Sequence, residues 1–370
     1  MLVLLDGLQA GNRSGTGRYT TELARRLPHV AGDLDLRILW PDTQPCPDIG
    51  PASEGVFMRC AAGTPARRLY TEHIGIRALQ RELRADLVHF PASVAGLLAA
   101  RGSIVTVHDV SFLRHAEWFR PGRAAYYRLA VRRSVGLASR VIADSEATAR
   151  DLMELAGVSR DRIDVVPLGV DAAYRPADLA ECDRVRARYA LPARFFLYVG
   201  TIEPRKNLAR LVDAWSRIAE SCDADLVLAG REGWRMAALR EAMARSPRRN
   251  RIHLPGFVRH EDLPGMLGAA QIFVWPSLYE GFGLPPLEAM ACGVPVITSN
   301  TSSLPEVVAD AAITVDPYDV EALAQAMAQL AQDRAMRDTL RQRGLQRAAL
   351  FSWCRTAELT VDAYRKACPV

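Results

Sequence analysis

Short apolar segments recur along this chain and alternate with amphipathic stretches of helical periodicity. The first half of the chain contains Met1–Leu5, Leu36–Trp40, Leu87–Phe90, Ile104–His108, Val141–Ala143 and Ile163–Val166. After Pro176 the pattern begins again, with Phe195–Val199, Asp225–Ala229, Ile272–Trp275 and Val294–Thr298. Apolar strands separated by helices are typical of βαβ units, which form a parallel sheet covered on both faces. The sequence therefore predicts an α/β fold built from two Rossmann-like domains.

Prolines and a polar helical stretch between Asp171 and Pro192 mark the junction of these domains. A chain of 370 residues is long enough to bury two separate cores. We expect an N-terminal domain of residues 1–172 and a C-terminal domain of residues 173–351. Residues 352–370 form an additional amphipathic helix. The pattern does not fix its partner, and packing back on the N-terminal domain is one solution.

The composition is that of an ordinary globular protein, with 49% apolar and 24% charged residues. No stretch approaches the ~20 apolar residues of a membrane span, and Asp6 interrupts the apolar start of the chain. We therefore expect a cytoplasmic protein. The seven cysteines include no Cys-x-x-Cys pair, so neither a disulfide framework nor a zinc site is indicated. The net charge of +5 is spread evenly and indicates no nucleic-acid partner.

Two carboxylates flank a glycine-rich helix start in the second half of the chain. Glu280 lies in the loop, and Glu288 follows eight residues later in the first turns of the helix. Gly281, Phe282 and Gly283 place backbone N–H groups at this helix N-terminus, where a phosphate binds readily. The carboxylates on either side can accept hydrogen bonds from hydroxyl groups. In outline, the segment is a nucleotide-sugar site.

Other unusual loops follow the predicted strands, and ligands of open α/β sheets bind at the carboxyl ends of strands. The candidates in these loops are Gly15, Gly17, His108, Arg205, Lys206, Arg231 and Val258. Glycines allow the backbone to approach an anion or a sugar, a histidine can donate to a substrate hydroxyl, and cations can stabilise a leaving diphosphate. Each candidate has a structural alternative. The glycines would form a simple tight turn, and His108 would be a structural histidine. Arg205 and Lys206 would be a solvated surface pair, and the loops of Arg231 and Val258 would be ordinary connections.

Lys206 is unusual because 45 of the 47 basic residues are arginines and the other lysine is Lys366. A site that needs a compact, flexible point charge would favour lysine. The chain also contains two Asp-x-Asp pairs, Asp33/Asp35 and Asp223/Asp225. Both precede predicted strands rather than follow them, so we interpret them as solvated turns and expect no metal site.

Taken together, these motifs resemble the retaining glycosyltransferases of family four, which have the GT-B fold. The resemblance covers nearly the whole chain and rests on four motifs: Glu280-x7-Glu288, Gly200-x-x-x-Pro-Arg-Lys-Asn, Ala143-Asp144-Ser145 and Val166-Pro-Leu-Gly-Val-Asp171. A narrower likeness, carried by the segments 108–118 and 200–207, is to bacterial mannosyltransferases of O-antigen and exopolysaccharide synthesis. The resemblance implies two Rossmann-like domains whose parallel sheets face an interdomain cleft.

The resemblance also implies a role for each candidate. Glu288 would bind the ribose hydroxyls of the donor, and Glu280 the hydroxyls of the donor sugar. Arg205 and Lys206 would hold the diphosphate together with the N–H groups of residues 281–283, and Leu284 and Val258 would line the nucleotide site. His108 would touch the donor sugar from the opposite domain, and Gly15 and Gly17 would let the first helix approach the phosphate. Thr201 stands where many relatives have Arg, which leaves Arg205 or Arg231 as the second cation. His108, Glu280, Lys206 and Arg205 are thus the expected catalytic residues.

The implied reaction is transfer of a hexose from a nucleotide-diphosphate sugar, GDP-mannose or a related GDP-hexose, without a metal or other cofactor. Retention would follow from front-face substitution, in which the departing phosphate oxygen takes the proton of the acceptor. The alternatives are Glu280 as a covalent nucleophile, a UDP- or ADP-sugar as the donor, a GT-B epimerase, and a silent nucleotide-sugar sensor.

Arginines and aromatic residues are interleaved between residues 114 and 140. The arginines are Arg114, Arg120, Arg123, Arg128, Arg132, Arg133 and Arg140, and the aromatic residues are Trp118, Phe119, Tyr126 and Tyr127. Such a segment would suit an anionic membrane surface that carries a lipid-linked glycan acceptor. A solvated basic face is the alternative. The sequence thus predicts a cytoplasmic enzyme that can bind peripherally to the inner face of the membrane.

Overall fold

The computed structural model describes residues 1–12, 15–50, 55–61, 64–96, 102–119 and 121–368. The chain divides into two compact domains. Met1–Gly169 and Phe351–Val370 form the N-terminal domain, and Val170–Leu350 forms the C-terminal domain. The observed divisions therefore lie at residues 169 and 350, against the expected 172 and 351.

Among its described residues, the N-terminal domain contains one seven-stranded sheet in the order β3-β2-β1-β4-β5-β6-β7. Its strands are β1 (Leu2–Asp6), β2 (Asp35–Pro41), β3 (Phe57–Cys60), β4 (Leu87–Phe90), β5 (Ser103–Val107), β6 (Arg140–Ala143) and β7 (Ile163–Val165). All neighbouring strands are parallel. The strand order reverses between β1 and β4, and such a switch point is where open α/β sheets bind ligands.

Helices connect the strands of this domain. They are α1 (Gly15–Val30), α2 (Pro65–Tyr70), α3 (Ile76–Leu83), α4 (Ser111–Arg114), α5 (Pro121–Leu137) and α6 (Glu146–Ala156). Ser145 caps α6, because its hydroxyl accepts a hydrogen bond from the N–H of Thr148, and Gly157 ends it in the left-handed conformation. The strands β1, β4, β5 and β6 are almost entirely buried, as strands covered on both faces must be.

The C-terminal domain, all of whose residues are described, contains a six-stranded parallel sheet in the order β10-β9-β8-β11-β12-β13. The strands are β8 (Phe195–Val199), β9 (Asp225–Ala229), β10 (Ile252–Gly256), β11 (Ile272–Trp275), β12 (Val296–Ser299) and β13 (Ile313–Val315). The helices are α7 (Leu179–Tyr189), α8 (Leu208–Ile218), α9 (Ala237–Arg245), α10 (Leu263–Ala269), α11 (Leu284–Ala291), α12 (Leu304–Val308), α13 (Val320–Gln332) and α14 (Arg334–Ala348). The switch point of this sheet lies between β8 and β11.

The last helix, α15 (Trp353–Ala367), returns to the N-terminal domain and packs against α1. The Ser352 hydroxyl caps it, and the hydroxyl of Thr356 donates to the carbonyl of Pro167 at 2.8 Å. Tyr364 Oη lies 2.8 Å from Nδ1 of the buried His89 on β4. His89 Nε2 in turn lies 2.7 Å from Thr106 Oγ1 on β5. A buried polar chain therefore joins the C-terminal helix to the centre of the N-terminal sheet.

Among the residues that the structure describes, no helix combines the length and apolar character that crossing a membrane would require.

Candidate functional site

The loops after β8 and β11 build the candidate site at the switch point of the C-terminal sheet. After β8 the chain forms a single 3-10 turn, Pro204–Lys206, and Asn207 then adopts the left-handed conformation and opens α8. After β11 it runs through residues 276–283 into α11. The backbone N–H of Leu278 donates to the carbonyl of Arg205 at 2.8 Å, which ties the two loops together.

Glu280 is the centre of this site. Lys206 Nζ and Trp275 Nε1 donate to Oε1 of Glu280 at 2.6 and 3.1 Å, and Nη1 of Arg205 donates to Oε2 at 3.1 Å. The Lys206 ammonium also lies 4.6 Å from the ring centroid of Trp275, which stacks on Tyr198. Lys206, Glu280, Trp275 and Tyr198 are all buried. Two loops separated by more than 70 residues are thus joined through one carboxylate.

Arg205 bridges two carboxylates. Its Nη2 lies 3.0 Å from Oε1 of Glu203, and its Nη1 also donates to the carbonyl of Tyr279 at 3.0 Å. The cluster therefore contains two cations, Arg205 and Lys206, and two carboxylates, Glu203 and Glu280. The two cations that the sequence assigns to a diphosphate are thus charge-balanced by acidic side chains of their own domain.

The electrostatics of the cluster keep Glu280 ionised. Burial by itself would raise the pKa of Glu280, but the charges of Lys206 and Arg205 and the hydrogen bond from Lys206 outweigh it and lower the pKa to about 2. Burial and the charge of Arg205 lower the pKa of Lys206, while Glu280 and Glu203 oppose that shift. The carboxylate at the centre of the site is thus a weak base held by fixed donors.

Three serines fix the loop that carries Glu280. Ser302 Oγ accepts a hydrogen bond from the N–H of Glu280 at 2.9 Å, and Ser303 Oγ donates to the carbonyl of Phe282 at 2.6 Å. Ser277 Oγ lies 3.2 Å from the carbonyl oxygens of Arg205 and Tyr279. The sequence interpretation missed these residues and also Trp275 and Glu203. For Ser302 and Ser303, the sequence did contain a signal, because the polar run 299–303 directly follows an apolar predicted strand.

The start of α11 follows directly from this loop. Gly283 caps the helix with φ of 116°, a conformation that disfavours any side chain, and a Cβ there would lie 2.9 Å from Cδ2 of Leu304. Pro285 and Pro286 in the first turn have no N–H groups, so the amides at this end belong to residues 281–284. Glu288 is buried one turn further along α11. The structure thus brings Glu280, the amides of residues 281–284 and the first turns of α11 into one continuous segment.

The remaining candidates of this domain lie on the loops after β9 and β10. Arg231 is exposed, and its guanidinium carbon lies 4.5 Å from the ring centroid of Phe257. Val258, the next residue, is buried. The loops after β8 and β9 are joined by a parallel bridge between Ile202 and Glu232. Of the two arginines considered as the second cation of the site, Arg205 contacts Glu280 together with Lys206. Arg231 instead packs on the exposed ring of Phe257.

The candidates of the N-terminal domain lie at the carboxyl edge of its own sheet. His108 follows β5, with Nδ1 2.7 Å from Oδ2 of Asp144 and Nε2 2.9 Å from the carbonyl oxygen of Pro91. Gly15 opens α1 and is exposed. Gly17 is buried in the first turn of α1, where a Cβ would lie 1.8 Å from the carbonyl oxygen of Asn12, so this position has room only for glycine. The two residues of this loop at positions 13 and 14 lie outside the described residues.

The Asp-x-Asp pairs form ion pairs with basic side chains. Asp33 pairs with Arg365, Asp35 with Arg37, Asp223 with Arg194, and Asp225 with Arg251 and His253. Across the described ranges, no group of three or more His, Cys, Asp or Glu side chains is arranged to hold a metal ion.

Comparison with known proteins assigns the family. Residues 13–174 match the family described as Glycosyltransferase Family 4, and residues 183–347 match the family described as Glycosyl transferases group 1. The O-antigen chain mannosyltransferase B of Escherichia coli is 33% identical over 367 residues, which is 95% of this chain and 96% of that protein. The chain is a family 4 glycosyltransferase.

A second relative is similar in sequence, and a solved structure is similar in fold. The serotype-specific mannosyltransferase WbdA of Escherichia coli is 27% identical over 99% of this chain, which spans about half (48%) of that longer protein. Sucrose-phosphate synthase from Thermosynechococcus elongatus is 23% identical, with a TM-score of 0.76 over 99% of this chain and 98% of that structure. The GT-B class predicted from the sequence, with its two parallel-sheet α/β domains, is confirmed, and so is the resemblance to family four.

Proposed function

We propose that this glycosyltransferase moves mannose from GDP-mannose to a growing, lipid-linked surface glycan, with retention of configuration and without a metal or other cofactor. The observation that carries the proposal is the buried carboxylate of Glu280, held by Lys206 and Arg205 beside the start of α11. The 33% identity to an O-antigen mannosyltransferase over nearly the full length of both chains supports the choice of sugar and of acceptor class.

Lys206 has donor capacity for a diphosphate, because an ammonium group carries three N–H donors and Glu280 accepts one of them. The guanidinium of Arg205 is held by Glu203, Tyr279 and Glu280, and it adds a fixed positive charge beside Lys206. Lys206 can therefore bind a phosphate oxygen while it keeps Glu280 in place. As the glycosidic bond breaks, negative charge grows on the diphosphate, and fixed cations beside it stabilise the transition state more than the ground state.

The state of Glu280 favours the front-face mechanism over a covalent one. A carboxylate with a pKa of about 2, bound by three donors, is a poor nucleophile and a good acceptor for sugar hydroxyls. The departing phosphate oxygen then takes the proton of the acceptor hydroxyl, while an oxocarbenium-like centre is held between donor and acceptor. Glu288 on α11 binds the ribose hydroxyls in this scheme.

Binding and slow hydrolysis of donors by the purified chain test the proposal. We expect GDP-mannose to bind more tightly than UDP- and ADP-sugars, to release α-mannose first as seen by proton NMR, and to be cleaved equally well with a chelator present. Tighter binding of a UDP- or ADP-sugar would overturn the donor assignment. Release of β-mannose first would overturn retention, and loss of activity with the chelator would overturn metal independence.

Substitutions separate the roles of the two glutamates. Glu288→Ala should weaken GDP binding by about 10- to 100-fold, the value of a hydrogen bond to a charged group, while Glu280→Ala should chiefly lower kcat. Glu321→Ala, which removes an exposed carboxylate on α13, is the matched control and should change neither quantity. Near-wild-type binding and turnover in both site variants would contradict the assignment.

We also propose that α5 of the N-terminal domain contacts the anionic surface of the inner leaflet. Tyr126 and Leu129 are 50% and 74% exposed on this helix, beside the exposed Arg128, Arg132 and Arg133. Apolar side chains flanked by cations suit the headgroup region of a membrane. The other arginines of the segment differ: Arg114 pairs with Asp151 and Glu154, Arg140 pairs with Asp164, and Arg120 and the side chain of Arg123 lie outside the described residues.

Co-sedimentation with vesicles of phosphatidylglycerol and phosphatidylethanolamine tests this contact. Replacing Arg128, Arg132 and Arg133 together by Ser should reduce the bound fraction, and raising the salt should do the same for the wild type. Replacing Arg240, Arg245 and Arg334, which are exposed arginines of the C-terminal domain, is the matched control. Equal loss of binding in both triple variants would mean that charge alone, and not α5, governs sedimentation.

A further inference from the structure

His108 and Asp144 meet because they follow neighbouring strands. Val107 at the end of β5 is paired in register with Ala143 at the end of β6, so the next residue of each strand lies at the same edge of the sheet. There His108 Nδ1 lies 2.7 Å from Asp144 Oδ2. Asp144 is only 2% exposed, whereas the His108 side chain is 18% exposed. The carboxylate is therefore the inner member of the pair and the imidazole the outer one.

The hydrogen bonds fix where the protons are. The carbonyl oxygen of Pro91 can only accept, and it lies 2.9 Å from His108 Nε2, so Nε2 must carry a proton. Between Nδ1 and Asp144 there is one further proton, which belongs to the imidazole when the carboxylate is ionised. Nε2–H is a donor in either case. With Asp144 ionised, the two partners of His108 therefore favour an imidazole that carries a proton on both nitrogens.

In the described part of the structure, His108 is the hydrogen-bond partner of the Asp144 carboxylate. Its other oxygen, Oδ1, is buried and has no hydrogen-bond partner among the described residues. Buried carboxylate oxygens without partners are rare, because their desolvation is not compensated. A carboxylate kept in this state beside a partly exposed histidine indicates a role exerted through that histidine.

The groups around the imidazole are consistent with a charged ring. Burial by itself would lower the pKa of His108, but the charge and hydrogen bond of Asp144, the bond to Pro91 and the charge of Asp109 together raise it. His89 on β4 opposes a charge on His108, but burial lowers the pKa of His89 to about 3, so His89 is neutral. Tyr19 on α1 presents its ring edge-on at 4.9 Å between centroids, and burial keeps its hydroxyl protonated by raising its pKa.

We propose that Asp144 is a positioning residue that orients the His108 imidazole and favours a proton on both of its ring nitrogens, so that its Nε2–H can pass from the Pro91 carbonyl to an oxygen of a substrate bound at this sheet edge. The inference rests on the proposed function only for the identity of that oxygen, a hydroxyl of the substrate. Asp144 itself touches no substrate in this scheme.

The pH profile of Asp144→Asn tests the proposal, because the substitution keeps the shape and removes the charge. His108 is charged below its pKa and loses the charge as the pH rises, so the alkaline limb of kcat/KM should lie at lower pH in the variant. At acidic pH the variant should approach wild-type activity. A uniform loss of activity at every pH would indicate a merely structural role and overturn the proposal.

Two further variants sharpen this test. Asp109→Asn removes a carboxylate one residue away that bonds Ser111 rather than the imidazole, and it should shift the limb much less. In the His108→Gln background, Asp144→Asn should cause less than a twofold further loss, because Asp144 acts through His108. If the two losses multiply instead, Asp144 acts independently and the proposal fails.

Titration of His108 by NMR separates this inference from the proposed function. The chain contains seven histidines, and the His108→Gln variant identifies the signal. The pKa of His108 should fall in Asp144→Asn whichever donor the enzyme uses. An unchanged titration would overturn the inference even if GDP-mannose is the substrate. A shifted titration in an enzyme that rejects GDP-mannose would overturn only the donor assignment.

Discussion

Lys206 Nζ lies 2.6 Å from Oε1 of Glu280, and both side chains are buried at the switch point of the C-terminal sheet. A buried ion pair is poor evidence for a gain in stability, because removing two charges from water costs about as much as their attraction returns. Here the pair has further partners in Arg205 and Trp275, which reduce that cost. The proposed function depends on its position beside the start of α11.

Replacing Lys206 by Ala should destabilise the C-terminal domain. The change leaves Glu280 buried with Arg205 as its remaining cation, so we expect a loss of about 3 kcal/mol in the free energy of unfolding, the low end for breaking a buried pair. Urea denaturation of the purified chain measures it. The only other lysine provides the control: Lys366 is 57% exposed, and its partner Asp164 keeps Arg140, so Lys366→Ala should cost less than about 1 kcal/mol. Equal losses of stability in the two variants would show that the buried pair of Lys206 and Glu280 contributes no more than the exposed pair of Lys366 and Asp164.

Glu280 should also make stability depend on pH in the acid range. Its pKa is lowered from 4.5 in the unfolded chain to about 2 in the folded protein. The contribution of ionised Glu280 to the free energy of unfolding is therefore complete above pH 4.5 and is lost as the pH falls towards 2. The full contribution is on the order of 3 kcal/mol. Urea denaturation at several pH values between about 6 and 2.5 should therefore give a shallower curve for Glu280→Gln than for the wild type. Parallel curves would mean that other carboxylates carry the acid sensitivity.

The sequence predicted the central strands well and the edges poorly. Strands such as Phe195–Val199 and Ile272–Trp275 are buried on both faces, so their continuous apolar runs are easy to recognise. The strands β3, β10 and β13 were missed. Each lies at a sheet edge and includes polar, basic or proline residues, because one side has no neighbouring strand. The predicted strand Val294–Thr298 instead runs from Val296 to Ser299, and Val294 and Pro295 lie in the connection after α11.

The sequence was sufficient to place Glu280 and Lys206 on loops at one sheet edge, but it did not predict the hydrogen bonds between the side chains of these loops. Loops that follow parallel strands must meet at one sheet edge, so Glu280 and Lys206 could be brought together from the order of motifs alone. That Arg205 would also bind Glu203, or that Ser302 would hold the N–H of Glu280, depends on side-chain rotamers and loop conformations. Pairing of His108 with Asp144 depends on strand register, which sequence spacing does not fix.

The first turn of α1 should tolerate no side chain at Gly17. A Cβ there would lie 1.8 Å from the carbonyl oxygen of Asn12, so Gly17→Ala must displace backbone and should cost about 1–3 kcal/mol. Gly32 belongs to the same domain, and a Cβ there would meet no atom within 4 Å. Gly32→Ala should therefore be neutral or stabilise by up to about 1 kcal/mol. Urea denaturation compares the two variants, and similar effects would contradict the crowding at Gly17.

The hydroxyl of Tyr364 should help to hold α15 on the rest of the N-terminal domain. Tyr364→Phe removes the partner of Nδ1 of the buried His89 and leaves that nitrogen unsatisfied, which costs about 1–3 kcal/mol. We expect a lower melting temperature and faster proteolysis after residue 350, because α15 packs on α1 through this buried face. Tyr318→Phe removes the hydroxyl of a tyrosine that is 58% exposed, and it should leave both quantities unchanged. If Tyr364→Phe behaves like this control, apolar packing alone holds α15, and the chain from Tyr364 through His89 to Thr106 contributes nothing to it.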